Sequence, residues 1–383
     1  MTMTINNKNK KANVPNLRFP EFQGEWEKCI LGDITENFNL RNKDKIQYPM
    51  FSVTNDRGFV PQSEQFEGRD MVGEDIKAYK IIHTNDFAYN PARINVGSIA
   101  MYTGERPCMI SSLYVCFKTT KEVNNEWLMQ LLKTPKMNYY YNVNGEGGVR
   151  VYLFYPNFAR IRMSIPKIEE QKKIAKLLNL IDERIATQNK IIEDLKKLKS
   201  AISKKLLCND KWTTYKIQDI AEIGRGRVIS SVEIDRQKHP LYPVYSSQTS
   251  NDGIMGYLDN YMFDGEYITW TTDGANAGTV FYRKGKFNCT NVCGTLKIQS
   301  KFDCYFVSLV LQQATQKYVS SNLANPKLMN NTMASIKIRM PNIETQKQLS
   351  KVFKTLDSCL LVHQRICKMY LSEKQYLLRQ MFI

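Results

Sequence analysis

PKIEEQKKIAKLLNLID at residues 166–182 and PNIETQKQLSKVFKTLD at residues 341–357 are two copies of one segment, offset by 175 positions without a gap. Pro166 matches Pro341, Glu169 matches Glu344, Gln171 matches Gln346, Lys172 matches Lys347 and Asp182 matches Asp357. An internal duplication fixes the plan of a chain before any local signal is weighed. Each copy opens as a strand, alternating at Ile161, Met163 and Ile165 in the first, and stops at the proline. A helix then begins, because proline is tolerated in a first turn and Glu169, Glu170 and Glu344 suit the positive end of its dipole.

Along the first helix, apolar residues recur at Ile174, Leu178, Ile181, Ile185, Ile192, Leu195, Ile202 and Leu206, with polar interruptions at Gln188 and Lys199. Along the second they recur at Leu349, Phe353, Leu356, Leu360, Cys367, Tyr370, Leu377 and Met381, interrupted at His363 and Lys374. Both seams break at the same two places. A period of 3.5 calls for a partner helix, and two seams in one chain can fill each other's holes. The alternative is two amphipathic helices, each lying on its own globule. Roughly 36 residues would span ~54 Å, longer than that role needs. The reading is therefore an antiparallel pair, with Gln188 expected closest to His363 and with Lys199 and Lys374 reaching out to water.

The segments upstream also echo each other. Glu25-Trp26 leads to LGDI at 31–34, as Lys211-Trp212 leads to IQDI at 217–220. YPMFS at 48–52 is similar to YPVYS at 242–246, and VGSIAMY at 96–102 to AGTVFYR at 277–283. The offsets shift among these pairs, so loops have gained and lost residues around a shared core. Short strands rich in Tyr, Val, Ile and Thr alternate with Gly, Asn and Asp turns, and helices are predicted at Glu126–Lys133 and Phe306–Val319. The fold class is α+β: two similar mixed globules and two long helices in a pseudo-two-fold repeat. The expected division is a disordered segment 1–15, a globule 16–165, a helix 166–207, a globule 208–340 and a helix 341–383.

Composition narrows the function. The chain of 383 residues carries 54 Lys and Arg against 37 Asp and Glu, a net charge of +17. Each globule and each helix segment contributes +4 or +5, so the basic surface is shared along the chain. Such an excess favours a polyanionic partner, most simply nucleic acid. No apolar run approaches the ~20 residues of a membrane span, and MTMTINNKNKKANVP lacks the core of a secretion signal. A cytoplasmic protein is expected. The 9 cysteines include no C-x-x-C pair, and only His83, His239 and His363 could join them, so free thiols are expected and no metal.

The common catalytic motifs are missing. No G-x-x-x-x-G-K-[ST] occurs, and Gly278 to Lys286 has the wrong spacing. Asn90-Pro91-Ala92-Arg93 lacks the second proline and the aromatic of an amino-methyltransferase motif. Glu170 and Lys172 form an E-x-K, but no Pro-Asp precedes them usefully, and the repeat replaces Glu170 by Thr345. Gly224-Arg225-Gly226 is read as a turn. The chain reads as non-catalytic.

The two repeat segments resemble the conserved regions of the specificity subunit of type I restriction–modification systems, and NLRFPEFQGEWEKCILGDI at 16–34 resembles the start of such subunits. The resemblance covers the chain from about Val14 onward. It implies two target recognition domains that read a split, asymmetric double-stranded DNA site and two helices that dock two methyltransferase (modification) subunits. It also implies restriction or motor subunits in the full complex. S-adenosylmethionine, ATP and magnesium would belong to those partners and not to this chain. Base-reading residues fall in the family's variable regions and cannot be carried over. Polar side chains in Gly- and Asn-rich loops are nominated instead: Arg93, Asn95 and Arg150 in the first globule, and Arg225, Arg227, Thr272, Asn276 and Lys327 in the second. Arg suits guanine and Asn suits adenine. The competing reading is a coiled-coil scaffold or adaptor that binds only proteins; its affinity for random duplex would lack a steep salt dependence.

Overall fold

The computed structural model describes residues 4–5, 13–65, 76–147, 151–207, 209–320 and 325–383. It holds two compact units. The first comprises residues 1–189 and 365–383, and the second residues 190–364. Each unit therefore takes one globule and half of each long helix, whereas the sequence division assigned whole helices to separate segments.

In the first unit, strands β1 (Thr35–Phe38), β2 (Phe87–Tyr89), β3 (Ile99–Met101) and β4 (Val115–Thr119) form an antiparallel sheet in the order β1-β4-β2-β3. In the second, β5 (Ala221–Arg225), β6 (Glu266–Thr271), β7 (Val280–Lys284) and β8 (Cys293–Ile298) repeat that order as β5-β8-β6-β7. A shorter ladder closes each globule at its exit. Arg162–Ile165 pairs with Glu27–Ile30, and Lys337–Met340 pairs with Thr213–Lys216. Chain entry and exit are thus tied together before each long helix begins. Thr4–Ile5, inside the segment expected to be disordered, pairs with Leu17–Arg18. Asn13 is built in as well, its carbonyl accepting from the Trp26 N–H at 2.8 Å. Residues 1–3 and 6–12 lie outside the described residues.

Helix α1 (Asn125–Leu132) packs in the first globule and α3 (Cys304–Ala314) in the second; α2 (Ile168–Leu206) and α4 (Ile343–Met381) are the long helices, 39 residues each. The helices predicted at 126–133 and 306–319 are α1 and α3, the latter continued by a 3-10 turn at Thr315–Tyr318. The eight described cysteines are free, and burial pushes the thiols of Cys108, Cys116 and Cys304 up to about 12.

What seats a long helix on its globule is the repeated glutamine. Gln171 and Gln346 are buried. Gln171 Oε1 accepts the N–H of Asn124 at 2.8 Å while its Nε2 donates to the Pro166 carbonyl at 2.9 Å. Gln346 Oε1 accepts the N–H of Asp303 at 2.9 Å while its Nε2 donates to the Pro341 carbonyl at 2.8 Å. Asn124 and Asp303 are the N-caps of α1 and α3, accepting from Trp127 N–H and Phe306 N–H at 2.8 Å in both. One buried amide therefore locks each long helix to the cap of its globule's helix. Leaving such a group unpaired costs about 1–3 kcal/mol.

The repeated aspartate does the second job. Asp182 accepts from Gln130 Nε2 of α1 at 2.9 Å and from Lys374 Nζ of α4 at 2.6 and 2.7 Å. In the second unit, Asp357 accepts from the Tyr305 hydroxyl of α3 at 2.5 Å and from Lys199 of α2. The lysines that break the seams therefore reach carboxylates of the facing helix instead of water, which corrects the sequence expectation. Seven residues beyond Asp182, Asn189 meets Cys367, which lies seven residues before Lys374, so the helices run antiparallel in this unit. In the second unit, the Lys199–Asp357 pair likewise joins α2 to α4.

The seam residues divide by position. Ile174, Leu178 and Ile181 are buried in the first globule's core together with Leu377 and Met381, with Ile185 and Tyr370 against it. Phe353 is buried in the second core, where Leu349, Leu356 and Ile202 pack half-buried. Ile192, Leu195 and Leu360 are half-buried. Each seam thus serves a globule as well as the other helix, so the two alternatives posed by the sequence are combined. Leu206 points outward at 36% exposure, and the buried residue at that end is Leu207. Glu170, assigned from sequence to the helix dipole, is buried and held by Arg18 at 2.7 and 2.8 Å, with Trp26 Nε1 at 3.3 Å. Thr345 stands at that position in the repeat, so this contact belongs to the first unit alone.

Reversing Asp182→Lys should remove the clamp and set two like charges together. We expect Tm to fall by about 2–4 °C for each kcal/mol lost, with a loss of about 1–2 kcal/mol, since both partners are partly exposed. Adding Lys374→Asp should recover most of it, as read by thermal unfolding of the double variant.

Candidate nucleic-acid interface

The loop after β2 and the loop after β6 occupy equivalent places in the two sheets and carry half of the nominated residues. In the first globule, Asn90 makes an Asx turn, its Oδ1 accepting from the Ala92 N–H at 3.0 Å. Gly97 closes the loop with φ 97°. Arg93 is exposed on it, and Asn95 is half-buried, donating to Asn142 Oδ1 at 3.0 Å. Arg150 lies outside the described residues.

In the second globule, Gly278 closes the loop with φ 82°. Asn276 donates to the Ser247 carbonyl at 3.1 Å. Thr272 is completely buried, its hydroxyl on the Val292 carbonyl at 3.0 Å and on Asp273 at 2.7 Å. It offers nothing to a base edge; it shapes the loop. Asp273 gathers the cations, with Arg225 Nη2 at 3.2 Å and Lys327 Nζ at 3.8 Å. Arg225 and Lys327 are thus brought together around Asp273, with Thr272 beneath, while Asn276 of the same loop turns to Ser247. Arg227 stands apart in a bidentate pair with Glu233 that raises the guanidinium pKa and lowers that of the carboxyl, chiefly through the hydrogen bonds.

Two features here escaped sequence reasoning. Gly224-Arg225 is the end of strand β5, and Gly226 continues its ladder with an N–H to the Cys293 carbonyl at 3.1 Å. A Cβ on Gly226 would collide with the carbonyl oxygens of Cys289 and Thr290, so the glycine is there for close backbone approach. The second is Arg283, buried on β7 with its guanidinium 3.6 Å from the Tyr245 ring centroid and on Asp252 at 2.8 Å. It secures the exposed tip where Asn251, Asp252 and Gly253 all take positive φ. Nothing in a single sequence marks an arginine as buried. Among the described residues no group of three His, Cys, Asp or Glu could hold a metal, and no helix is long and apolar enough to cross a membrane.

The chain matches the family described as type I restriction modification DNA specificity domain twice, over residues 23–197 and 209–368. It belongs to that family and carries two copies of its domain. It is similar to two putative type I specificity subunits of Mycoplasma pneumoniae, 39% identical over 197 residues and 38% over 201, each alignment spanning 51% of this chain and 82% or 80% of the relative. The crystal structure of a type I restriction–modification S subunit from M. genitalium superposes with a TM-score of 0.68 over 97% of this chain and 99% of that one, at 15% identity. A second structure, from work on complex assembly and conformational transition of the type I system, gives 0.55 over 92% and 96%, at 11% identity. At these identities the structural likeness concerns the fold.

Gly226→Ala should destabilise the second unit by about 1–3 kcal/mol, as overpacking against backbone does. Thermal unfolding beside Gly285→Ala, where a Cβ meets nothing, separates collision from the strain of substituting a glycine at positive φ.

Proposed function

We propose that this chain is the non-catalytic DNA-reading subunit of a type I restriction–modification complex. Each globule reads one half of an asymmetric bipartite site, and the paired helices set the spacer between the halves. The observation that carries this reading is the doubled anchorage: two sheets of one topology, each fixed to a long helix by the same glutamine and to the facing helix by the same aspartate. Dispersed lysines and arginines supply phosphate contacts and affinity, while loop side chains supply sequence choice.

The helices' outward faces are proposed to hold two modification subunits, one on each repeat, with restriction subunits joining the complete assembly. S-adenosylmethionine, ATP and magnesium are assigned to those partners. Apolar side chains stand out on these faces: Leu180, Met369 and Tyr376 in the first unit, Leu198, Val352 and Val362 in the second. Exposed apolar residues on a long helix suit a protein partner.

Exchanging residues 16–165 for the same globule of a related chain should change one half-site only, as read by sequencing methylated adenines in cells that also express the modification subunit. A change in both halves would contradict the division of labour. Inserting seven residues into both helices should lengthen the spacer by roughly 3 base pairs, since ~10.5 Å of helix corresponds to that rise of duplex. An unchanged spacer would show that the helices do not set it.

A further inference from the structure

The two globules build the same rim on the same scaffold and fill it with different chemistry. Leu153 and Leu328, 175 positions apart, are both fully buried. The Leu153 N–H donates to the Pro91 carbonyl at 3.0 Å, and the Leu328 N–H donates to the Thr272 carbonyl at 2.8 Å, each pinning this segment to the loop after the second strand of the sheet. On that common frame, Tyr152 and Phe154 flank Leu153 where Lys327 and Met329 flank Leu328. Val96 is 55% exposed, and its equivalent Ala277 is 4% exposed. Leu113 is 77% exposed at a turn tip, where the second globule has the half-buried Val292.

The outcome is two unlike surfaces. In the second globule the rim is more polar, with Arg225 and Lys327 drawn onto Asp273 and Met329, 38% exposed, as the apolar side chain beside them. In the first, Val96, Leu113, Tyr152 and Phe154 line one hollow of about 880 Å³ together with Arg93 and Asn95. The rings of Tyr152 and Phe154 lie nearly parallel, 6.2 Å apart. A contiguous apolar hollow beside an exposed arginine is a recognition surface for something that is apolar at the contact and anionic around it. Duplex DNA has that combination in its major groove, where the thymine 5-methyl is the apolar mark between phosphate walls.

We propose that the first globule reads thymine methyl groups through this hollow, so that its half-site contains A·T pairs recognised by apolar contact, while the second globule reads its half-site by hydrogen bonds. This rests on the reading that each globule contacts one half-site.

The test is binding of the complete chain, with its modification subunits, to target duplexes in which thymine is replaced by deoxyuridine, which lacks the methyl. The half-sites are assigned by the exchange of residues 16–165. Uridine in the first half-site should weaken binding roughly fourfold for each methyl removed, and in the second half-site should leave it unchanged. Leu113→Ser combined with Phe154→Ser, both at exposed positions, should weaken binding to the target and abolish the uridine penalty in the first half-site, while substitutions in the second half-site keep their effect. Equal penalties in both half-sites, or no penalty in the first, would overturn the proposal. A chain that shows no preference for any target over random duplex would overturn the DNA-reading function itself, a distinguishable result.

Discussion

A carboxylate held from two sides is the contact on which each half of this molecule depends. Asp182 is gripped by Gln130 of its globule and Lys374 of the facing helix; Asp357 is gripped by Tyr305 and Lys199 in the same way. The duplication that relates Asp182 to Asp357 also relates Lys199 to Lys374, so one ancestral pair of residues supplies both clamps. Apolar seams alone could slide by a heptad with little penalty, whereas a buried or half-buried charge pair is satisfied in one register only. The energy at stake in each clamp is modest. Its value lies in penalising wrong alignments of helices that otherwise present repeated, similar surfaces.

The glutamine anchors complete the arrangement. Gln171 and Gln346 join the start of a long helix to the N-cap of a globule helix through one buried amide that both accepts and donates, so a globule cannot tilt on its helix without breaking buried hydrogen bonds. Under the proposed function a rigid joint of that kind is required, because slack at the joint would blur the distance the spacer sets. The first unit adds the buried Arg18–Glu170 pair, which ties the entry strand to the same helix start. Breaking such a pair by removing one partner typically costs about 3–5 kcal/mol, so this joint is the stiffer of the two.

Much of the fold was legible in the sequence because it is written twice. The repeat disclosed both long helices, their seams, the strands before them and the pairing of the globules. The identity of the clamps was not legible. Gln171, Gln346, Asp182 and Asp357 were visible as matched positions, but their partners Asn124, Asp303, Gln130 and Tyr305 lie in the diverged globules, where loop-length changes move the offset. The seam lysines were misread because period and polarity do not reveal which carboxylate lies opposite; that depends on the register, which the positions of the interruptions alone leave open. Among the nominated loop residues, Arg225 and Lys327 converge on Asp273, yet Thr272 is buried, since a Gly- and Asp-rich stretch marks a turn without telling which side chain faces inward. The apolar rim of the first globule went unnoticed for a related reason: Val96, Leu113, Tyr152 and Phe154 resemble core residues until their exposure is known.

The central claim is that two unlike readers stand on helices locked in one register. Single-molecule sequencing of adenine methylation in cells that express this chain with its modification subunit tests it most directly. The account predicts a methylated motif made of two different half-sites separated by a spacer of one fixed length. A continuous motif, two identical half-sites, or a motif tolerating several spacer lengths would contradict it.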